Sequence, residues 1–411
     1  MEPHVAYCAY VFGLQHRYTY VLRTIPGITE HLKRLDEAID EFLITHLLKD
    51  HSLTELERIW ISLPARLGGL GINIISEMAP VYYRDSRMMT KGLVDVIKNQ
   101  HNPHYEAIES SERPAKAFIM EEKKKREEAK VTYLLENLTP QKLRVYEAMT
   151  EKGAYNWLTA LPLQDHGFYL DKLKFWDSLR LRFGIDPARL PNKCVCDQDY
   201  TVEHALNCSR GGFISTRHND VRDFTAELLS EVCKDVAVEP VLTPLTGEKF
   251  ALKTANKEDH ARLDVSARGV WMRGSRAFFD VKVFNPLAQS YSKLTLKAAH
   301  KQNEREKKRK YEDRVINVEH GSFTPLVFTS IGGMGDECFL FYNRIADKLS
   351  EKRNITISQA RTWIRTKLSF CLLHATHLCI RGSRTRNQFS TLKEMSATDI
   401  PIALAESQAK E

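Results

Sequence analysis

A chain of 411 residues with 43% apolar side chains is long enough to bury two or three cores. Its formal net charge is only +7, so a nucleic-acid surface has to come from local basic patches rather than the overall balance. No apolar run reaches bilayer-spanning length, and the longest, Leu368 to Ile380, carries His374 and His377, which excludes a membrane-embedded class.

The amino terminus, Met1-Glu2-Pro3-His4, lacks the basic-then-apolar form of a secretory leader. Eight scattered cysteines suggest a reducing compartment, and the clustering of three of them points to metal rather than disulfides.

From Val5 to about Gln100 apolar residues recur at helical spacing, with Ser52-Leu-Thr-Glu55 as a capping box. Leu63-Pro-Ala-Arg-Leu-Gly-Gly-Leu-Gly-Ile72 breaks the pattern. It lacks a preceding strand and a Gly-Lys-Ser/Thr, so it reads as a turn rather than a phosphate loop. Residues 1–104 are thus expected as a helical unit and 105–190 as a helical connector. Within the latter, Glu121–Glu128 mixes both charge signs and suits a solvated helix.

Residues 191–210 carry Cys194, Cys196, His204 and Cys208, spaced C-x-C-x7-H-x3-C. Four soft or borderline ligands in so short a segment match a closed structural Zn²⁺ site. A helix starting near Thr201 would put His204 and Cys208 one turn apart on one face. Residues 211–335 follow as an α/β unit. Arg217-His218-Asn219 leads into a helix over about 220–234 with Asn219 as its cap, and Glu227 and Glu231 lie toward the edge of its buried stripe.

Val236–Leu242 reads as a strand, followed by a hairpin of Ala261-Arg-Leu-Asp-Val-Ser266 and Arg276-Ala-Phe-Phe-Asp-Val-Lys-Val-Phe284. Alternation puts Ala277, Phe279, Val281 and Val283 on one face and Phe278, Asp280, Lys282 and Phe284 on the other. With Arg273-Gly274-Ser275 as the reversal and Met272 opposite Arg276, Asp264 joins Asp280 and stands beside Lys282. Two carboxylates and a lysine converging at strand ends suit a hard divalent cation with a water beside it; the plainer reading is a charged solvent face.

A basic helix over 289–312 follows, with Lys293, Lys297, His300, Lys301, Lys308 and Tyr311 roughly along one side, suited to a phosphate backbone. Ser322–Ser330 reads as a buried strand, so the order is helix, three strands, helix, strand. Residues 336–386 are expected as C-terminal helices with a basic end, and 387–411 as a disordered tail.

This order, with Asp264 on the second strand and Asp280-Val-Lys282 on the third, resembles the PD-(D/E)xK restriction-like nuclease core. Leu263 stands where that motif has proline. The run of the Cys-Cys-His-Cys cluster, Arg217-His218-Asn219, the paired aspartates and Lys307-x-x-x-Tyr311 resembles the carboxy-terminal endonuclease of site-specific non-LTR retrotransposons. The helical part ending in Leu63–Gly71 is similar to the thumb that follows the polymerase palm there. No Tyr/Phe-x-Asp-Asp palm motif occurs, so the chain looks like the back half of a retroelement protein, or a gene derived from one.

The resemblance implies an all-helical first half, a zinc knuckle and an αβββαβ endonuclease core, with DNA and the element's RNA as partners in the nucleus. It implies Mg²⁺ (or Mn²⁺) on Asp264 and Asp280, with Glu227 as third carboxylate and Glu231 and Glu239 as its rivals. Lys282 would orient or help deprotonate the attacking water, Lys307 and Tyr311 would face the scissile phosphate, and Arg217 and His218 would contact the backbone. The rival expectation is a catalytically inactive nucleic-acid-binding remnant.

Overall fold

The computed structural model describes residues 2–102, 105–250 and 252–384; the tail expected over 387–411 lies outside the described residues. The chain combines many helices with one four-stranded sheet, a mixed α/β architecture.

The first half is helical: α1 Pro3–Ala9, α2 Thr29–Ala38, α3 Glu55–Ser62, α4 Ile75–Lys98, α5 Tyr105–Asn137, α6 Pro140–Thr150 and α7 Lys172–Arg182, with shorter turns between. The capping box of α3 lies two residues beyond the expected one. Thr54 Oγ1 accepts from the Glu57 N–H at 3.2 Å, and Glu57 Oε2 accepts from the Thr54 N–H at 3.1 Å. Tyr7, Trp60, Leu134, Tyr146, Trp157, Phe175 and Phe183 share one buried cluster. Residues 105–190 therefore complete this core rather than only connect it.

Leu63–Gly71 is a packed turn, as expected. A Cβ on Gly69 would sit 1.9 Å from the Leu63 carbonyl oxygen, which leaves no room for a side chain. The fully buried Arg182 donates to the carbonyls of Ala65 at 2.7 Å and Gly69 at 3.3 Å, so this loop presents acceptors to a cation.

The second half contains α8 Val202–Asn207, α9 Phe213–Val232, β1 Lys234–Val238, β2 Val265–Arg268, β3 Arg276–Phe284, α10 Leu296–Asn317, β4 Ser322–Thr329, α11 Asp336–Arg353 and α12 Ile357–Arg381. From α9 to β4 the order is helix, three strands, helix, strand. The sheet order is β1-β2-β3-β4, with β1/β2 and β2/β3 antiparallel and β3/β4 parallel. Pro325 is tolerated in β4 because that strand lies at the sheet edge.

The alternation of β3 partitions its side chains between two layers. Ala277, Phe279 and Val281 enter the core formed with α9, α11 and α12. Phe278 packs with Leu242, Leu263, Tyr311 and Phe323, and Phe284 with Ala299 and Val327, so that face is covered by α10. Asp280 lies between these two apolar patches, on the α10 side.

Three boundaries differ from expectation. α9 starts at Phe213 behind Gly212, whose φ of +70° suits glycine, so Asn219 is inside the helix and does not cap it. α10 starts at Leu296, where Thr295 Oγ1 accepts from the Ala298 N–H at 3.2 Å, and Gln289–Tyr291 is a separate 3₁₀ turn. The β2–β3 pairing begins with Arg268 opposite Arg276, not Met272. Gly269 ends the strand at φ +86°, and Val270 and Trp271 tuck into the core instead of extending it.

α12 touches three clusters. Ala360, Ile364, Leu368 and Leu372 face the sheet core, Phe370 and Leu373 the first-half core, and Cys379 and Ile380 the Cys/His unit. It joins the two halves of the molecule.

Candidate functional site

The Cys/His unit is small and locally ordered. Lys193 bridges Asp199 in a short hairpin, and the Cys194 N–H donates to the Gln198 carbonyl at 2.9 Å. Thr201 caps α8 by accepting from the His204 N–H at 3.0 Å, and the Cys208 N–H donates to the His204 carbonyl at 2.8 Å. His204 and Cys208 are thereby one turn apart, as the spacing predicts.

The ligand atoms of Cys194, Cys196, His204 and Cys208 lie within 4.8 Å of one another. Cys194 Sγ and Cys208 Sγ are 3.8 Å apart, and Cys196 Sγ is 3.4 Å from His204 Nε2. Two thiolates on a tetrahedral zinc with bonds of about 2.3 Å stand about 3.8 Å apart, so the quartet fits such an ion. Burial lowers the His204 pKa and favours the neutral imidazole that ligates metal. The unit is held by Tyr200, whose hydroxyl donates to the Ile380 carbonyl at 2.6 Å, and by Arg384, which donates to the Tyr200 hydroxyl at 2.7 Å and the Ala205 carbonyl at 3.1 Å.

A second, acidic site lies where β2 and β3 meet α9 and α10. Continuing the β2/β3 register by one residue sets Asp264 level with Asp280. Asp264 Oδ2 accepts from the Val281 N–H at 2.6 Å, and Asp264 Oδ1 is 2.9 Å from His218 Nε2 of α9. Lys307 of α10 brings Nζ to 2.6 Å from Asp280 Oδ2, an ion pair in which both side chains are largely buried. Asp280 Oδ2 has no hydrogen bond beyond that charge contact.

Burial pushes the Asp280 carboxyl above its ordinary pKa; Lys307 opposes this shift and nearby Asp264 adds to it. For Lys307 burial disfavours the charge, but the Asp280 carboxylate prevails and holds the pKa above its ordinary value.

Among the expected site residues, Asp264 and Asp280 come together. Lys307 joins them through Asp280, where a phosphate-facing position was expected. Lys282 is half-buried beyond Asp280 on the same face and has no ion pair or hydrogen bond among the described residues. Tyr311 is buried against Phe323, ring centroids 5.9 Å apart, one turn beyond Lys307.

The third carboxylate is not gathered. Glu227 is exposed, and nine positions separate it from His218, which places it about 180° round α9 from the site. Glu231 is held by Arg353 at 2.5 Å and 2.7 Å, and Glu239 pairs with Arg222 and, at 3.5 Å, Arg262. Among the described residues, the Cys/His quartet is the group of three or more ligand-type side chains brought within reach of one ion.

Arg217 is 2% exposed and donates to the Leu206 carbonyl at 3.4 Å, so it braces the Cys/His unit and cannot reach a nucleic-acid backbone. His218 is spoken for by Asp264. Of the basic helix, Lys293, Lys297 and Lys301 are exposed, whereas Lys308 is tied to Glu337 at 2.8 Å and His300 is buried against Glu151 at 3.0 Å. Arg305 and Arg309, absent from the expected set, continue the exposed row at four-residue spacing. That spacing from Lys297 was the signal for them.

No protein-family model matches this chain, and no curated protein matches it. No helix among the described residues is long and apolar enough to cross a membrane.

Proposed function

We propose that the chain is a divalent-metal-dependent DNA endonuclease, with residues 211–335 as a restriction-like core derived from a non-LTR retrotransposon protein. The observation that carries this reading is the meeting of Asp264, one residue before β2, with Asp280 of β3, whose buried Oδ2 lies 2.6 Å from Lys307 Nζ. Two carboxylates side by side with a lysine suit a hard ion.

Asp264 and Asp280 would hold Mg²⁺ or Mn²⁺, which when bound would acidify a water and offset phosphodiester charge. His218 orients Asp264, and Lys307 keeps the buried Asp280 charge balanced. Lys282 is the cationic group on that face with no partner of its own, and it is suited to meet the attacking water or the phosphate. The Cys/His quartet would carry structural Zn²⁺ beside this core. DNA, the element's RNA and a nuclear location follow as parts of the same proposal.

Asp280→Ala is expected to lower Mg²⁺-dependent nicking of supercoiled plasmid by at least about a thousandfold, as for removal of a group that acts in the transition state. DNA affinity should stay within about twofold, since a carboxylate adds nothing to phosphate binding. Undiminished cleavage would sink the assignment. The second reading, a nucleic-acid-binding protein without activity, draws on the missing third carboxylate and on Asp264 having both oxygens engaged. Binding without any nicked product from the wild-type chain would favour it.

A further inference from the structure

α10 has two unlike sides. Its buried side chains, among them Ala299, His300, Glu304, Tyr311 and Val315, face the sheet, and on that side Lys307 pairs with Asp280 at 2.6 Å. Lys293, Lys297, Lys301, Arg305 and Arg309 recur every four residues, and all five are exposed with no ion pair among the described residues. At about 100° per residue, Lys301 lies about 120° round the helix from Lys307, and Arg305 and Arg309 lie about 160° round it. The row therefore climbs the outer side of α10, and a helix about 10 Å thick separates it from Asp264 and Asp280.

The surroundings of the row favour phosphate over other anionic partners. A shallow groove of about 390 Å³ runs along it, lined by Leu294, Ala298, Lys301, Gln302, Arg305 and Arg309, without a carboxylate. The carboxylates on its Lys308 flank are engaged: Lys308 holds Glu337 at 2.8 Å and Glu312 at 3.7 Å, and Glu304 accepts from the Glu337 N–H at 3.4 Å. Glu306 is exposed on the opposite flank, about 60° round from Arg309, and Asp313, next in the series, ends the row. An acidic protein partner would need a buried apolar anchor at the centre of its contact, and the groove offers only half-buried Leu294 and the methyl group of Ala298. It also lacks an aromatic side chain on which bases would stack. What remains is a line of charge about 18 Å long from Lys297 to Arg309, which fits a phosphodiester backbone of any sequence.

We infer that the outer side of α10 holds the phosphodiester backbone of a nucleic-acid segment separate from the strand presented to Asp264 and Asp280. The chain then has two nucleic-acid surfaces, one on each side of this helix. This rests on the nucleic-acid reading above but not on metal chemistry, so binding is measured on the full chain in Mg²⁺-free buffer, where nicking plays no part.

The probe is a fluorescent DNA duplex of about 10 base pairs, roughly 34 Å long, which covers the row but is too short and stiff to bend round the helix. At about 50 mM salt the wild-type chain should take up two duplexes, and Lys301→Glu with Arg305→Glu only one. The duplex lost in that variant should be the salt-sensitive one, since four phosphate contacts weaken binding by about 150-fold between about 50 mM and 200 mM salt. Arg305→Ala with Arg309→Ala, which truncates exposed side chains without adding charge, should lose the same duplex at the higher salt and serves should charge reversal disturb the fold. Displacement of that duplex by single-stranded DNA or by single-stranded RNA of the same length would name the source of the backbone and support the assignment. Unchanged uptake in both variants would overturn the proposal and turn the row toward an acidic protein. Loss of both duplexes together would overturn it too, as would a wild-type chain that nicks plasmid yet holds a single duplex lost in the variants, because one segment would then serve both sides. A wild-type chain that nicks nothing and holds a single duplex lost in the variants would instead remove the nuclease reading and leave this one standing.

Discussion

Cys194, Cys196, His204 and Cys208 come from one stretch of fifteen residues, whereas His218, Asp264, Asp280 and Lys307 come from four separate elements. The first group brings four metal-ligand atoms within 4.8 Å of one another. In the second, each negative charge is already answered by a protein group: Asp264 by His218 and the Val281 amide, Asp280 by Lys307. A closed thiolate site depends on its ion for order, while the acidic site holds its geometry through protein contacts alone. The two should therefore respond in opposite ways to loss of metal and to loss of a protein partner.

The largest effect is expected at the quartet. The wild-type chain should hold one Zn²⁺ by elemental analysis and Cys196→Ser close to none. Structural zinc contributes on the order of 10 kcal/mol to ordering the segment that binds it. Amides of residues 192–210 should therefore lose protection from hydrogen exchange in Cys196→Ser, with the bonds of Tyr200 and Arg384 at the end of α12 following. Stoichiometric zinc in that variant would break the comparison. A chelator should reproduce the loss and leave the Asp280–Lys307 pair intact.

The same contrast explains what was legible beforehand. The Cys/His motif is local, so spacing and helix periodicity suffice to place His204 and Cys208 on one face. The sheet face was legible for a different reason. The expected register paired Met272 with Arg276 and the observed one pairs Arg268 with Arg276, a slip of four residues, and an even slip leaves every side chain on its own face. Asp264 thus reaches the Asp280 face but stands level with Asp280 rather than beside Lys282. What sequence periodicity does not carry is which long side chain crosses between layers. Lys307 reads as one more lysine in a basic helix, yet it fills the polar gap in the buried stripe of α10 between Glu304 and Tyr311. Arg217 likewise reads as a surface cation and is buried because α9 starts six residues earlier than its apparent cap.

The acidic site should be most sensitive to its protein partner. Lys307→Ala strands Asp280 in a buried position, and breaking such a pair costs about 3–5 kcal/mol, readable by urea unfolding. Combining it with Asp280→Asn should recover much of that loss; a cost below about 1 kcal/mol for Lys307→Ala would mean the pair behaves as a surface ion pair. The pH dependence has a definite sign. Because the native Asp280 carboxyl is held above its ordinary value, the folded chain binds the proton more tightly than the unfolded chain does. That contribution favours folding below about pH 4 and is lost as pH rises through the native pKa. Asp280→Asn should therefore gain stability relative to wild type as pH rises above about 4, and a gain toward acid instead would reverse the assignment of burial as the dominant cause.

The smallest effect separates two neighbours on α10. Arg305 is exposed and has no ion pair among the described residues in the basic row of α10, whereas Lys308 is occupied by Glu337 and Glu312. If this row carries nucleic-acid phosphates, Arg305→Ala should reduce the slope of log affinity against log salt by about 1, the amount set by neutralising a single phosphate. Lys308→Ala should leave the slope unchanged, because a lysine already neutralised by carboxylates releases no counterion from nucleic acid. Equal slopes for the two variants would mean that binding follows the net charge of the helix and not its exposed row.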